Sequence, residues 1–175
     1  MPRLLENGRP TADPYIALGD TDEIPATGPV LVGLERWRAD GIRLAARGFP
    51  LGVRLKSHQL AREIAPDLGR LALIAVEFPK FRDGRGFSTA RELRERHGFT
   101  GEIRAVGHLL PDQYLFLLRA GFSRVEIPDD ADPDIWSDAL GRITIAYQPA
   151  PCQPAAASEG PLSLLRRHLR VTEAS

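Results

Sequence analysis

Leu71-Ala72-Leu73-Ile74-Ala75-Val76, followed at once by Glu77-Phe78-Pro79-Lys80-Phe81-Arg82-Asp83-Gly84-Arg85-Gly86-Phe87-Ser88, decides how this chain is read. An apolar run of this length is short for a helix and has no polar alternation. It is the pattern of a strand buried on both faces, as in a parallel sheet covered by helices. The charged stretch ends the strand, and Ser88 then stands before Ala90 and Leu93 at helical spacing, with a stop at Gly98. Together they make one strand–loop–helix unit.

Working outward, the unit recurs. Short apolar runs occupy Val30–Leu34, Leu51–Leu55, Ile103–Val106, Val125–Ile127 and Ile143–Tyr147. Between them lie helical segments with recognisable ends: Asp40 before a stretch closed by Gly48, and Ser57 before Leu60, Ala61 and Ile64. Pro111 and Asp112 open another that closes at Gly121, and Asp132-Pro133 opens one closed by Gly141. Oxygen-bearing side chains before helices and glycine after them satisfy the free backbone groups at each end. The expected fold class is therefore α/β, repeated βα units forming a mainly parallel sheet. Six units are too few to close an eight-stranded barrel, which leaves an open sheet or, alternatively, a partial barrel.

Residues 1–28, rich in proline and glycine, read as an N-terminal arm with a short strand near Tyr15–Leu18. Residues 29–148 form the α/β domain, and 149–175 a Pro/Ala-rich linker and tail. In the tail Leu162, Leu165 and Leu169 share a helical face beside Arg166, Arg167 and Arg170, over a span too short for a stable isolated helix.

Composition narrows the function. Lys plus Arg and Asp plus Glu each number 23, so the net charge is zero and no nucleic-acid footprint is expected. Arginine dominates; Lys56 and Lys80 are the only lysines. The single cysteine, Cys152, excludes an internal disulfide and an iron–sulfur cluster and points to a reducing, cytoplasmic location. No apolar stretch approaches the ~18 residues of a membrane span, and no leader is visible. His58, His97 and His168 show no ligand spacing with one another, so no metal site is expected. The glycine-rich loop is neither a Walker loop nor a dinucleotide fingerprint, since Thr89 stands where a third glycine would be; no cofactor is expected.

Ligands of parallel sheets bind beyond the carboxyl ends of strands, which places the candidate site in the loop after Val76. Pro79 keeps Phe78 extended, while Gly84 and Gly86 allow successive N–H groups to share one side. Lys80, Arg82, Arg85 and Arg91 would then meet the free amides at a helix starting at Ser88, a setting for sulfate, phosphate or a carboxylate. Asp83 lies within the same loop. The next strand adds Arg104, a charge in an apolar run that needs a partner such as Glu77 or Asp83, and His108, Asp112 and Gln113 at its end. Lys80 with Asp83, or His108 with Asp112, are the pairs available for acid–base chemistry. A plain turn and solvated helix arginines, including Arg94, are the bland alternative.

The series Glu77 to Ser88, Ala90-Arg91, Leu93 to Arg96, Gly98-Phe99, Gly101 to Gly107, Asp112-Gln113 and Arg119 to Phe122, with Leu34-Glu35-Arg36-Trp37 earlier, resembles a family of bacterial domains of unknown function encoded beside assimilatory sulfite reductase. The resemblance covers residues 28 to 130 and not the tail after Pro149. It implies a part in reducing sulfate or sulfite to sulfide and names no catalytic residue. Shared positions are Lys80, Asp83, Arg85, Arg91, Arg94, Arg104, Asp112 and Gln113. Three roles follow as expectations: an accessory protein binding a small oxyanion or the reductase itself, a stand-alone acid–base enzyme, and a dimerisation module.

Overall fold

Five of the apolar runs become neighbouring parallel strands because each is followed by a segment that packs back on the same face. In the computed structural model, which describes residues 3–141, the strands are β1 (Arg3–Glu6), β2 (Arg9–Thr11), β3 (Ile16–Leu18), β4 (Val30–Gly33), β5 (Leu51–Leu55), β6 (Leu73–Phe78), β7 (Glu102–Gly107) and β8 (Arg124–Ile127). They form one sheet in the order β2-β1-β8-β7-β6-β5-β4-β3, parallel from β3 to β8, with β1 antiparallel to β8. The helices are α1 (Leu34–Ala45), α2 (Arg85–Arg91), α3 (Tyr114–Ala120) and α4 (Pro133–Gly141); α2 runs on into a wider turn at Glu92–Arg96. The mainly parallel α/β sheet is as expected, and of its two forms the curled, half-barrel one is adopted.

The curl follows from chain length. Eight strands laid flat at ~4.8 Å spacing would put the outermost pair roughly 34 Å apart. Yet β2 and β3, the two edges, are joined only by Ala12–Tyr15, a link that spans at most about 18 Å. The sheet must therefore bend until its edges approach, and residues 12–15 become a strap across the concave side.

One face of the sheet is apolar throughout. Val30, Val32, Val53, Leu55, Ile74, Val76, Phe78, Ile103, Ala105 and Val125 join Trp37, Leu44, Leu93, Leu117 and Trp136 from the helices in a single core. The concave face holds only a small apolar cluster, Leu31, Leu73, Ala75 and Val106, under the ring of Tyr15. Beside it lie the charged strand residues Arg54, Glu77, Glu102, Arg104 and Arg124.

Several local expectations change. α1 begins at Leu34 directly after its strand, with extended Gly33 as its cap residue, and Asp40 lies inside it, ion-paired with Arg36 and Arg43. The segment after Ser57 forms two 3₁₀ stretches, Ala61–Glu63 and Ala65–Arg70, because Pro66 cannot continue an α-helix. The first 28 residues supply β1, β2 and β3. Asn7 and Gly8, with φ of 49° and 83°, make the primed two-residue turn that matches hairpin twist. The expected strand at Ile143–Tyr147, and the linker and tail, lie outside the described residues.

A long-range bond pins the turn of the hairpin: the Gly8 N–H donates to the Tyr114 hydroxyl at 2.8 Å, in a buried place beside Trp136. Tyr114→Phe leaves that N–H without its acceptor and is expected to cost about 1–3 kcal/mol. The check is a lowered urea midpoint with unchanged slope. Burial, first, and the nearby Glu6 charge hold the phenol above its ordinary pKa of 10.0. This contribution is complete below that pH and is lost as the pH climbs through the raised folded value.

Candidate functional site

The three loops that follow β5, β6 and β7 meet at the carboxyl end of the sheet, and hydrogen bonds tie them together. Arg85 Nη2 donates to Ser57 Oγ at 3.0 Å, joining the β6 loop to the β5 loop. Gln113 Nε2 donates to the Phe81 carbonyl at 2.8 Å, joining it to the β7 loop, while Gln113 Oε1 accepts from the Leu110 N–H. Across this rim Leu60, Phe81 and Leu110 are exposed apolar side chains. Lys80 and Arg82 stand beside them, both exposed; the Arg82 guanidinium lies 5.3 Å from the Phe81 ring centre, and neither cation has a carboxylate partner among the described residues.

Asp83 and Arg85 are committed to each other. Asp83 accepts from Arg85 Nη2 at 2.6 Å, from Arg85 Nε at 2.9 Å and from the Arg85 backbone N–H at 3.2 Å. The Arg85 bonds hold the Asp83 carboxyl well below the ordinary carboxylate range. The helix begins at Arg85, so Ser88 does not cap it; Ser88 is an exposed residue within α2. An anion does sit at the start of α2, and it is the protein's own carboxylate.

The remaining candidates are placed elsewhere. Arg91 faces outward from α2 and pairs with Glu95 at 3.6 Å. Arg94 points to the opposite end of the sheet, where its guanidinium donates to the carbonyls of Phe99 (2.6 Å), Gly101 (2.7 Å) and Gly121 (2.9 Å) and ties two helix-to-strand turns together. His108 and Asp112 are exposed on the rim and share no hydrogen bond, and Lys80 and Asp83 share none through their side chains. Arg104 does not meet Glu77 or Asp83. It lies on the concave face, wholly buried, held by Asp13 of the strap (2.6 and 3.0 Å) and by Glu102 (2.8 Å).

That face contains what the sequence reading passed over. Strand register sets Gly33, Arg54, Ala75, Arg104, Arg124 and Glu6 side by side across the sheet. Arg124 bridges Glu102 (2.9 Å) and Glu6 (3.2 Å), so an unbroken chain of ion pairs runs Asp13–Arg104–Glu102–Arg124–Glu6. The signal was the alternation itself: Arg54, Arg104 and Arg124 each neighbour a buried residue, Val53, Ile103 or Val125, that faces the helices.

A cavity of about 990 Å³ opens at the other end of the sheet, between Arg94, Phe99–Glu102 and Gly121–Arg124. Its charged lining groups are already spent on the bonds just described. Among the described residues no group of three or more His, Cys, Asp or Glu is placed to hold a metal ion, and no helix is long and apolar enough to cross a membrane.

No curated protein matches the chain. Residues 52–157, from β5 onward and including the whole loop after β6, match the model of a family described as "Bacterial protein of unknown function (DUF934)". Since the match spans more than half of the 175 residues, and takes in the linked rim loops, the chain belongs to that bacterial family.

Proposed function

We propose that this protein is an accessory factor of bacterial sulfite reduction, which docks on the reductase or takes a small oxyanion at the rim formed by the β5, β6 and β7 loops. One observation carries the reading: Lys80, Phe81 and Arg82 project from a loop pinned on both sides by the Arg85–Ser57 and Gln113–Phe81 bonds. Unpaired cations around an exposed aromatic, on a loop that needs little ordering, suit an acidic partner surface. With the α2 start already filled by Asp83, docking is favoured over an oxyanion held in the loop.

The test is calorimetry of the full chain with purified sulfite reductase, and separately with sulfite and sulfate. Association is expected to weaken as salt rises, and Phe81→Ser to weaken it by about thirtyfold, the loss typical of a buried aromatic anchor. Lys80→Glu with Arg82→Glu is expected to abolish it. If the intact chain binds neither the reductase nor an oxyanion, the proposal fails.

A further inference from the structure

Arg54 is the one arginine of the concave row with no carboxylate. Arg104 holds Asp13 and Glu102, and Arg124 holds Glu102 and Glu6, whereas Arg54 makes no ion pair or hydrogen bond through its side chain among the described residues. It is nevertheless half-buried, and its neighbours in register are Gly33 and Ala75, which cannot supply a partner. A Cβ at Gly33 would meet only the Asp20 carboxylate, at 3.8 Å. A partly desolvated guanidinium that no carboxylate reaches, Asp20 included, can take a further anion.

Glu77 is the second group left over. It lies two residues beyond Ala75 on β6, on the same concave face, half-buried and likewise without a side-chain partner. Strand spacing and rise put its Cα roughly 8 Å from that of Arg54, well within reach of so long a side chain. The two opposite charges do not join. Lys56, the residue after β5, is exposed and unpaired through its side chain. Tyr15 walls the cleft on the β7 side, over Ala75 and Val106.

We propose that this cleft binds a small zwitterion of the free α-amino-acid class, its carboxylate on Arg54 and its ammonium on Glu77. A simple oxyanion would satisfy Arg54 and leave a half-buried carboxylate facing it; a zwitterion satisfies both. The site is distinct from the rim and goes beyond the docking reading.

The experiment is isothermal calorimetry on the intact chain with the free proteinogenic amino acids, their N-acetyl and amide derivatives, and sulfate and sulfite. At least one free amino acid is expected to bind, and both of its blocked forms to lose affinity by about tenfold or more. Glu77→Gln, which preserves shape, and Arg54→Met are each expected to produce the same loss. Phe81→Ser is expected to leave this binding unchanged, which separates it from docking. Circular dichroism establishes that each variant is folded. Binding of sulfate or sulfite that survives Glu77→Gln, with no preference for the free amino acid, would overturn the proposal, as would no amino acid binding at all.

Discussion

Arg104→Ala is expected to lower the free energy of unfolding by about 3–5 kcal/mol, the loss typical of removing one partner from a buried ion pair. The side chain is completely buried, and three short charge-assisted bonds hold it, two to Asp13 and one to Glu102. Burial works against its charge, and the Asp13 and Glu102 hydrogen bonds more than offset that, so its pKa lies above the ordinary value. Truncation leaves a void beside Ala75, strands the Asp13 carboxylate and frees the strap from the sheet. Glu102 suffers less, because Arg124 still holds it at 2.9 Å. Arg104→Lys keeps the charge but not the planar fork that grips Asp13 with two nitrogens, and is expected to recover less than half of the loss. Asp13→Asn is expected to cost about 1 kcal/mol, since that residue is partly exposed and Glu102 remains. Urea unfolding gives all three values. If Arg104→Ala proves no worse than Arg43→Ala, whose exposed pair with Asp40 is worth at most ~1 kcal/mol, then the strap is not held as described.

This contrast also marks where the sequence is legible. β4 to β8 announce themselves because each is an apolar run that must be buried on the helix side, and their boundaries fall within two residues of the expected ones at β5 and β8. Helix ends are read where glycine or proline dictates them. Gly121 closes α3 with φ of 106°, and Asp132 accepts the Asp134 N–H before α4. They are misread where a polar residue had two possible uses. Asp40 and Ser88 look like caps, but both lie within helices that begin earlier, one at Leu34 against a buried strand end and one at Arg85 beside Asp83. Arg104 is the harder case. Its need for a partner is evident from its apolar neighbours, yet Asp13 lies 91 residues away in sequence. That pairing exists only because the sheet curls and the strap crosses it. The charged row behaves likewise: the face each arginine occupies can be read from alternation, whereas the company it keeps needs the register. Of the rim, the loop and its residue types are legible, but not that Asp83 would spend Arg85 locally while Lys80 and Arg82 stay unpaired.

Gly107→Ala is expected to destabilise the protein by about 3 kcal/mol or more, and Gly98→Ala by only about 1 kcal/mol. Both glycines have left-handed backbone, φ of 102° and 63°, so both substitutions carry the strain of placing a Cβ in that region. They differ in what the new methyl meets. At Gly98 nothing lies within 4 Å. At Gly107 the Cβ would stand 2.4 Å from the Phe78 carbonyl oxygen, and 3.2 and 3.3 Å from the carbon and nitrogen of the same residue. No rotamer change relieves a clash with backbone. That carbonyl also accepts the His108 N–H at 2.8 Å, the bond that turns the β7 loop onto the end of β6. Relief therefore requires the two strand ends to separate, which breaks this bond and tilts Phe78, a fully buried ring packed edge-on to Phe87. The same movement carries Phe81 and Leu110, so the variant is expected to lose partner docking as well as stability, while Gly98→Ala keeps it. Urea midpoints separated by roughly 1 M between the two variants would fit this account, given the slopes usual for small proteins. Equal midpoints would mean that backbone strain alone sets the cost and that the strand ends are free to part.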